Sequence, residues 1–309
     1  MSLTTVRMAV GRVVLVSGVL VLLFIPFMLW GTGLMTARSQ AALRVQFGID
    51  QQRSGSLTTK HLSAPKQSTV APAVLQVAPV IADPPAGSPV GTISIPKIAL
   101  SMVVVEGTDE PQLQAGPGHY PSTPLPGEAG NAAIAGHRTT YLAPFYNLDA
   151  LVPGDTIVVT TVQGTFLYQM TGNQVVDPSD VAVVAPTSTP ELTLTTCNPR
   201  YSASQRLVVH AALVASALTH PSVVPVRTAD VHRVIEHRSP AATAPPTKNW
   251  TAAILWGLAV AVLTIAVWMA TRRTHGGRRA LVVAAGGLAW LIVVFSFFTM
   301  VAPLLPASY

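Results

Sequence analysis

Apolar positions follow two different spacings along the chain. Between Arg12 and Arg38, between Lys248 and Arg272, and from Ala280 towards Pro303 they run on without a charge. Crossing a bilayer takes about 20 such residues, so each run is long enough to span one. Trp30, Trp250 and Trp268 sit near the ends of these runs, where indole rings favour the interface. The first run far exceeds the roughly 7–15 apolar residues of a signal peptide, and no small-x-small cleavage site follows it, so it reads as an uncleaved anchor. Residues 88–215 behave differently. Short β-prone runs recur there: VGTISIP, SMVVVEG, NAAIAGH, DTIVVTTV, TFLYQMTGNQVV, ELTLTTC and RLVVHAALV. Turn signals such as LPGEAGN and LVPGD separate them, and no 12-residue stretch keeps a helical period. Seven or eight short strands in 128 residues predict an all-β domain, a closed or nearly closed barrel or sandwich large enough to bury its own core.

The flanks lack either period. Residues 36–87 are rich in Ala, Pro, Ser, Gln and Thr and read as a flexible tether. Residues 216–248 are similar and end in SPAATAPPTK, with room for a short helix at Ala229–His237. No internal repeat is visible.

Composition sharpens this picture. Charged residues make up 10% of the 309, against about 25% in a soluble domain, so part of the chain is solvated by lipid. The net charge of +6 first suggests nucleic acid. Its placement argues otherwise: Arg272, Arg273, Arg278 and Arg279 lie between two apolar runs, which is a topology signal. Arg7 and Arg12 before the first run balance Arg38 and Arg44 after it, and the Arg-rich loop breaks the tie towards the cytoplasm. The expected organisation is a cytoplasmic amino terminus and first transmembrane helix (1–35), a linker (36–87), a β-domain (88–215) and a second linker (216–248). A transmembrane helix (249–271), a cytoplasmic loop (272–279), a third transmembrane helix (280–303) and an external carboxyl terminus (304–309) follow.

One cysteine excludes an internal disulfide framework and a cysteine-rich zinc site. Cys197 ends ELTLTTC, where alternation separates Leu192 and Leu194 from Thr193, Thr195 and Cys197. A lone cysteine is more often a small buried hydrophobe. A thiol at a strand end on a threonine-lined face in an oxidising compartment favours a reactive role instead. Such a thiol needs a base or a cationic neighbour. His61, His220, His232 and His237 fall in the linkers, and His119 sits in the Gly/Pro-rich GPGHYPST, where turn stabilisation is expected. If Cys197 and Arg206 oppose each other in an antiparallel hairpin, His210 lies opposite Thr193, about 14 Å along the strand and out of reach. His137 ends NAAIAGH, so a strand-end histidine can meet a strand-end cysteine at one barrel rim, with Gly136 permitting close approach. A hydrogen-bonded loop histidine is the competing reading. Arg206 opens the last strand and, if that same hairpin register holds, emerges beside the thiol, either as an oxyanion-stabilising cation or as a solvated arginine. Clustered carboxylates for a calcium site are absent from the sequence of the β-domain.

These motifs carry a resemblance. TLTTC at 193–197 matches the TLxTC signature of sortases, the membrane-anchored cysteine transpeptidases of Gram-positive bacteria. AGHR at 135–138 and SQRLVVHA at 204–211 look like that family's histidine and arginine strands. IPKIAL, VVVEGT, GPGHYPST and HRTTYLAPFYNLDALVPGD are similar to its actinobacterial class D/E branch, most of all class E. The resemblance covers residues 88–215 and implies a sortase-like closed β-barrel of seven to eight strands. It implies Cys197 as nucleophile, His137 as proton donor and acceptor, and Arg206 as the residue that holds the substrate and steadies the oxyanion. The implied substrates are secreted proteins with an LPxTG or LAxTG sorting motif. The implied acceptor is an amine of a peptidoglycan precursor or a pilin. Neither cofactor nor metal is implied; membrane lipid is a partner and nucleic acid is not. Tyr141 and Thr196 lie near the expected centre in sequence. Two other readings stand beside this one, a non-catalytic tethered binding module and a thiol acyl-transferase of the L,D-transpeptidase kind.

Overall fold

The structure, a computed structural model, describes residues 3–58, 76–121, 123–218, 250–275 and 277–302. They fall into two compact units. The helical unit contains α1 (Leu3–Pro26), a π turn at Phe27–Gly31, and two long helices near the carboxyl terminus. In those two, Trp250–Arg273 and Arg279–Val301 are long and apolar enough to cross a membrane. Phe24, Phe27, Phe295 and Phe298 pack stacked, edge to face or tilted, with centroids 5.0–5.9 Å apart. Trp290 Nε1 donates to Thr264 Oγ1 at 2.8 Å, which ties the two carboxyl-terminal helices together.

The second unit begins with α2 (Thr32–Thr58), which occupies sequence expected to be a flexible linker. Its docking stripe is Thr36, Gln40, Leu43 and Phe47, all buried. The spacing of four, three and four is helical, but two of the four residues are polar, so hydrophobic periodicity does not register it. Residues 76–87 also belong to the expected linker, yet Ala78 is buried and its N–H donates to Gly127 O at 2.7 Å. The remainder of that linker, and 219–248 of the second with Ala229–His237, lie outside the described residues.

The barrel is built from β1 (Pro89–Ile95), β2 (Leu100–Glu106), α3 (Glu110–Ala115), β3 (Gly118–His119), β4 (Asn131–Ala135), β5 (Thr156–Thr161), β6 (Gly164–Val176), β7 (Glu191–Asn198) and β8 (Gln205–Leu218). α4 (Trp250–Arg273) and α5 (Gly277–Val301) are the two apolar helices. The strands close in the order β1-β2-β3-β4-β7-β8-β6-β5. β2–β3 and β4–β7 are parallel, the other pairs antiparallel. Seven strands follow the β-prone runs of the sequence. The eighth, β3, is two residues long, too short to leave a period, and it holds His119 away from the loop expected for it. His119 is fully buried, with Nδ1 2.9 Å from Glu106 Oε2 and Nε2 2.9 Å from Pro124 O.

Inward positions of every long strand fill one core, including Ile93, Val104, Ile134, Ile157, Phe166, Leu192, Leu194, Leu207 and Val209. The shortness of β3 leaves the edge of β2 partly uncovered, since β3 pairs only with Val105 and Glu106. Gln40 fills that gap as a strand would. Its Oε1 accepts from Val103 N at 2.8 Å, and its Nε2 donates to Val103 O at 3.0 Å and to Ala115 O at 2.9 Å. Thr36 Oγ1 donates to Gln114 O at 2.8 Å beside it. Removing a buried partner strands the groups it satisfied, at about 1–3 kcal/mol. Gln40→Ala is therefore expected to lower the unfolding free energy of a fragment covering 33–218 by that amount, measured by chemical denaturation. A fragment beginning at residue 88 is expected to be less stable still.

Candidate active site

β4, β7 and β8 lie side by side in that order. In the parallel pair, Ala135 stands opposite Thr195, and Gly136 N–H extends the ladder to Thr195 O at 3.0 Å. His137 and Cys197 each follow this last pair by two residues. A period of two places Cys197 on the face of Thr195, away from the core that takes Leu194, and His137 follows the end of β4 at the same rim. Across the antiparallel pair β7–β8, Cys197 is opposite Arg206 and Thr193 is opposite His210. Leu207 and Val209 face the core, so Arg206 points to the same outer face as the thiol. The topology thus brings His137, two residues past the end of β4, to the rim where Cys197 and Arg206 stand opposite each other on β7 and β8. His210 lies two rows further along that face.

Local structure fixes each member of this group. A Cβ on Gly136 would come within 2.6 Å of the Phe145 ring, so only glycine lets the chain turn there. The returning loop closes on the histidine backbone, with Phe145 N donating to His137 O at 3.1 Å. Within it Tyr141, Leu142 and Ala143 hold φ values of 53°, 64° and 44°, three successive non-glycine residues in the left-handed region. This strained turn lays the Tyr141 ring against His137, with centroids 4.9 Å apart. Thr196 Oγ1 donates to Gly136 O at 2.7 Å and joins the two strand ends. Arg206 Nη1 donates to Ala203 O at 3.0 Å and Gln205 O at 3.1 Å, so the β7–β8 loop aims its guanidinium.

A cavity of about 280 Å³ opens on this face. Ala135, Gly136, Thr195, Leu113 and Tyr120 line it, together with residues of the 3₁₀ turn Val181–Val184. Tyr120 Oη lies 3.0 Å from Thr195 Oγ1. The cavity reaches Thr196 and Arg206, which flank the thiol. Thr196 therefore lines it, whereas Tyr141 packs on the histidine instead.

A model of the Sortase domain family matches residues 93–214. Putative sortase YwpE of Bacillus subtilis is 32% identical over 88 residues, 28% of this chain and 86% of that relative. The chain belongs to the sortase family. Sortase SrtE1 of Streptomyces coelicolor is 30% identical to this sortase over 224 residues, 67% of this chain and 56% of that relative. The solved sortase E of Streptomyces avermitilis is 35% identical, covering 45% of this chain and 97% of its own, at a TM-score of 0.40. This sortase spans between 54% and 60% of the length of the first four curated relatives it matches.

Electrostatics at the centre of this sortase are set by burial. His137 and Cys197 are each 4% exposed. Desolvation lowers the His137 pKa to about 4 and pushes the Cys197 thiol up, the latter opposed by the charges of Arg206 and Arg138. Both shifts favour a neutral thiol and a neutral imidazole at rest. His210 is a different case. Thr193 Oγ1 donates to Asn131 Oδ1 at 2.7 Å and the Gln174 amide donates to His210 Nε2 at 3.2 Å. His210 Nδ1–H therefore donates to Thr193 Oγ1 at 3.1 Å, and partial burial lowers the ring's pKa. Its hydrogen bonds are those of a structural histidine.

Sequence reasoning passed over three residues here. Arg138, 4% exposed, donates from Nη1 to Cys197 O at 3.0 Å and to Asn198 Oδ1 at 2.9 Å. Its Nη2 pairs with Asp149 Oδ2 at 2.9 Å. Asp149 also takes Arg200 at 2.8 Å. Arg138 stands in AGHR itself, directly after the candidate histidine, but sequence alone gives no sign that the guanidinium turns back under the cysteine.

The shifts give two expected outcomes. Alkylation of Cys197 by a small reagent is expected to be slow at neutral pH and to rise about tenfold per pH unit into the alkaline range; a fast, pH-independent rate between pH 6 and 8 would show a resting ion pair. For stability, a histidine whose folded pKa lies below its unfolded value of 6.5 contributes fully above that value and loses its contribution as pH falls towards 4. His137→Asn should lose less stability than the parent between pH 7 and 4, by up to about 3 kcal/mol.

Proposed function

We propose that this chain is a membrane-anchored cysteine transpeptidase that cleaves an LPxTG or LAxTG sorting motif on secreted proteins and joins them to an amine. The observation that carries this is the meeting of His137, Cys197 and Arg206 at the ends of three adjacent strands, beside a cavity lined by residues of β4 and β7. The thiol proton moves to His137 as the sulfur attacks the threonine carbonyl of the Thr–Gly bond. Arg206 meets the oxyanion of the tetrahedral intermediate. Collapse expels the glycine amine, which leaves with the proton carried by His137, and a thioester remains on Cys197. An incoming amine, from a peptidoglycan precursor or a pilin lysine, gives its proton to His137 and attacks the thioester. The new amide forms and the thiol is restored.

A neutral resting pair fits this scheme. A proton passing directly from thiol to imidazole leaves the total protonation unchanged, so the active fraction stays constant across the range between the two pKa values. The apolar helices α4 and α5 support anchoring in the membrane, with the barrel on the external side as the arginine bias implies. Exported, membrane-held substrates would meet the enzyme there.

The test uses the full chain in detergent with two fluorogenic peptides, one LPxTG and one LAxTG, and intact mass spectrometry. A thioester on Cys197 that an added amine releases as a transpeptidation product is expected, and Cys197→Ala should abolish it with the fold intact. His137→Ala should abolish turnover, and Arg206→Lys should be far from neutral because a point charge does not replace a planar fork. His210→Ala should retain most activity. A folded parent that forms no adduct with either peptide would favour a non-catalytic binding module.

A further inference from the structure

We propose that Arg138 is a positioning residue for the reaction: its buried guanidinium clamps the end of β7 to the loop that carries His137 and sets a fixed positive charge behind the nucleophile. This rests on the reading of Cys197 as that nucleophile. The geometry is a two-sided fork. One nitrogen holds the peptide carbonyl of Cys197 at 3.0 Å and the Asn198 side chain at 2.9 Å, the other holds Asp149 at 2.9 Å. Asp149 belongs to the 3₁₀ turn Leu148–Ala150, so a single side chain joins the strand end bearing the thiol, the loop after β4 and that turn. Arg200, from the loop after β7, closes the arrangement on Asp149 from outside and donates to Tyr146 O at 3.1 Å. A cation holds a strand end in register only through such a planar fork; an ammonium has no fixed second direction.

The charge balance matters as much as the clamp. Asp149 is a carboxylate shared by two guanidiniums, and its side chain is 42% exposed while that of Arg138 is 3% exposed. The anion is screened by water and the buried cation is not, so positive potential remains at the thiol's own peptide. Among the described residues, two charged groups act on Cys197, Arg206 from β8 and Arg138 from behind the strand, with His137 following β4 at the same rim. Burial alone makes the thiolate costly, and Arg138 and Arg206 are the charges that oppose it. Arg206 lines the cavity, which leaves Arg138 as the permanent, water-excluded counter-charge.

The test follows the alkylation of Cys197 against pH in the full chain in detergent, together with kcat/KM for the sorting peptide and hydrogen exchange of the 138–149 amides. Arg138→Gln is expected to move the alkylation midpoint up by about one pH unit. Asp149→Asn, at a half-exposed position, is expected to move it down. Arg138→Lys should leave the midpoint near the parent's while kcat/KM falls about 100-fold through misplacement of the thiol, with faster exchange over 138–149. A merely structural arginine would lower stability without moving the midpoint in either direction. Unmoved midpoints in Arg138→Gln and Asp149→Asn would overturn the charge assignment, and Asp149→Asn decides it alone if Arg138→Gln does not fold. Arg138→Lys with parental exchange would overturn the clamp, as would a kcat/KM within about threefold of the parent's. Should the parent form no thioester with either peptide, the transpeptidase reading fails, while midpoint and exchange still decide the role of Arg138.

Discussion

The parallel pairing of β4 on β7 is the constraint on which the site depends. Parallel neighbours end at the same rim of a barrel, so the residues that follow Ala135 and Thr195 emerge together although 60 positions separate His137 from Cys197. The antiparallel return of β8 then brings Arg206 to the same rim. Because side chains alternate with a period of two, this register also decides faces. A slip of one residue in β8 would bury Arg206 and expose Leu207 and Val209, at a cost that the core does not tolerate. Packing of Leu192, Leu194, Leu207 and Val209 inside therefore holds Cys197 and Arg206 outside.

Burial and charge oppose each other at that rim. Removing water from His137 and Cys197 favours their neutral forms, which protects the thiol at rest and holds the ion pair to a minority. Two arginines lean the other way, one lining the cavity and one behind the strand. Fixed dipoles and charges in a water-poor site act strongly on charge that develops during reaction. The strained Tyr141–Ala143 turn belongs to the same economy of position, since it lays an aromatic ring against the imidazole at the end of a strand that has no further pairing.

Docking of α2 belongs to the barrel's own packing. The Gln40 amide completes the edge of β2 where the two-residue β3 leaves it bare, and Thr36 binds the carbonyl end of α3. Leu113 of α3 lines the cavity, so α2 is one packed layer from the proposed substrate site.

What the sequence determined by itself was whatever leaves a period or a motif. Alternation in SMVVVEG, ELTLTTC and RLVVHAALV marked strands, uncharged runs marked the apolar helices, and TLTTC with AGHR marked the family. The opposition of Cys197 and Arg206 could only be posited as a hairpin register, and the pairing of β7 with β8 shows it. β3 was not, because two residues cannot show alternation, and α2 was not, because its buried stripe is half polar and its partners are backbone atoms of β2 and α3. The tertiary structure alone decided that Arg138 turns beneath Cys197 and that Asp149 and Arg200 gather around it. A charged residue in a loop looks solvated in sequence; only closure of the barrel removes the water and supplies the carbonyl, the amide and the carboxylate that make its burial stable.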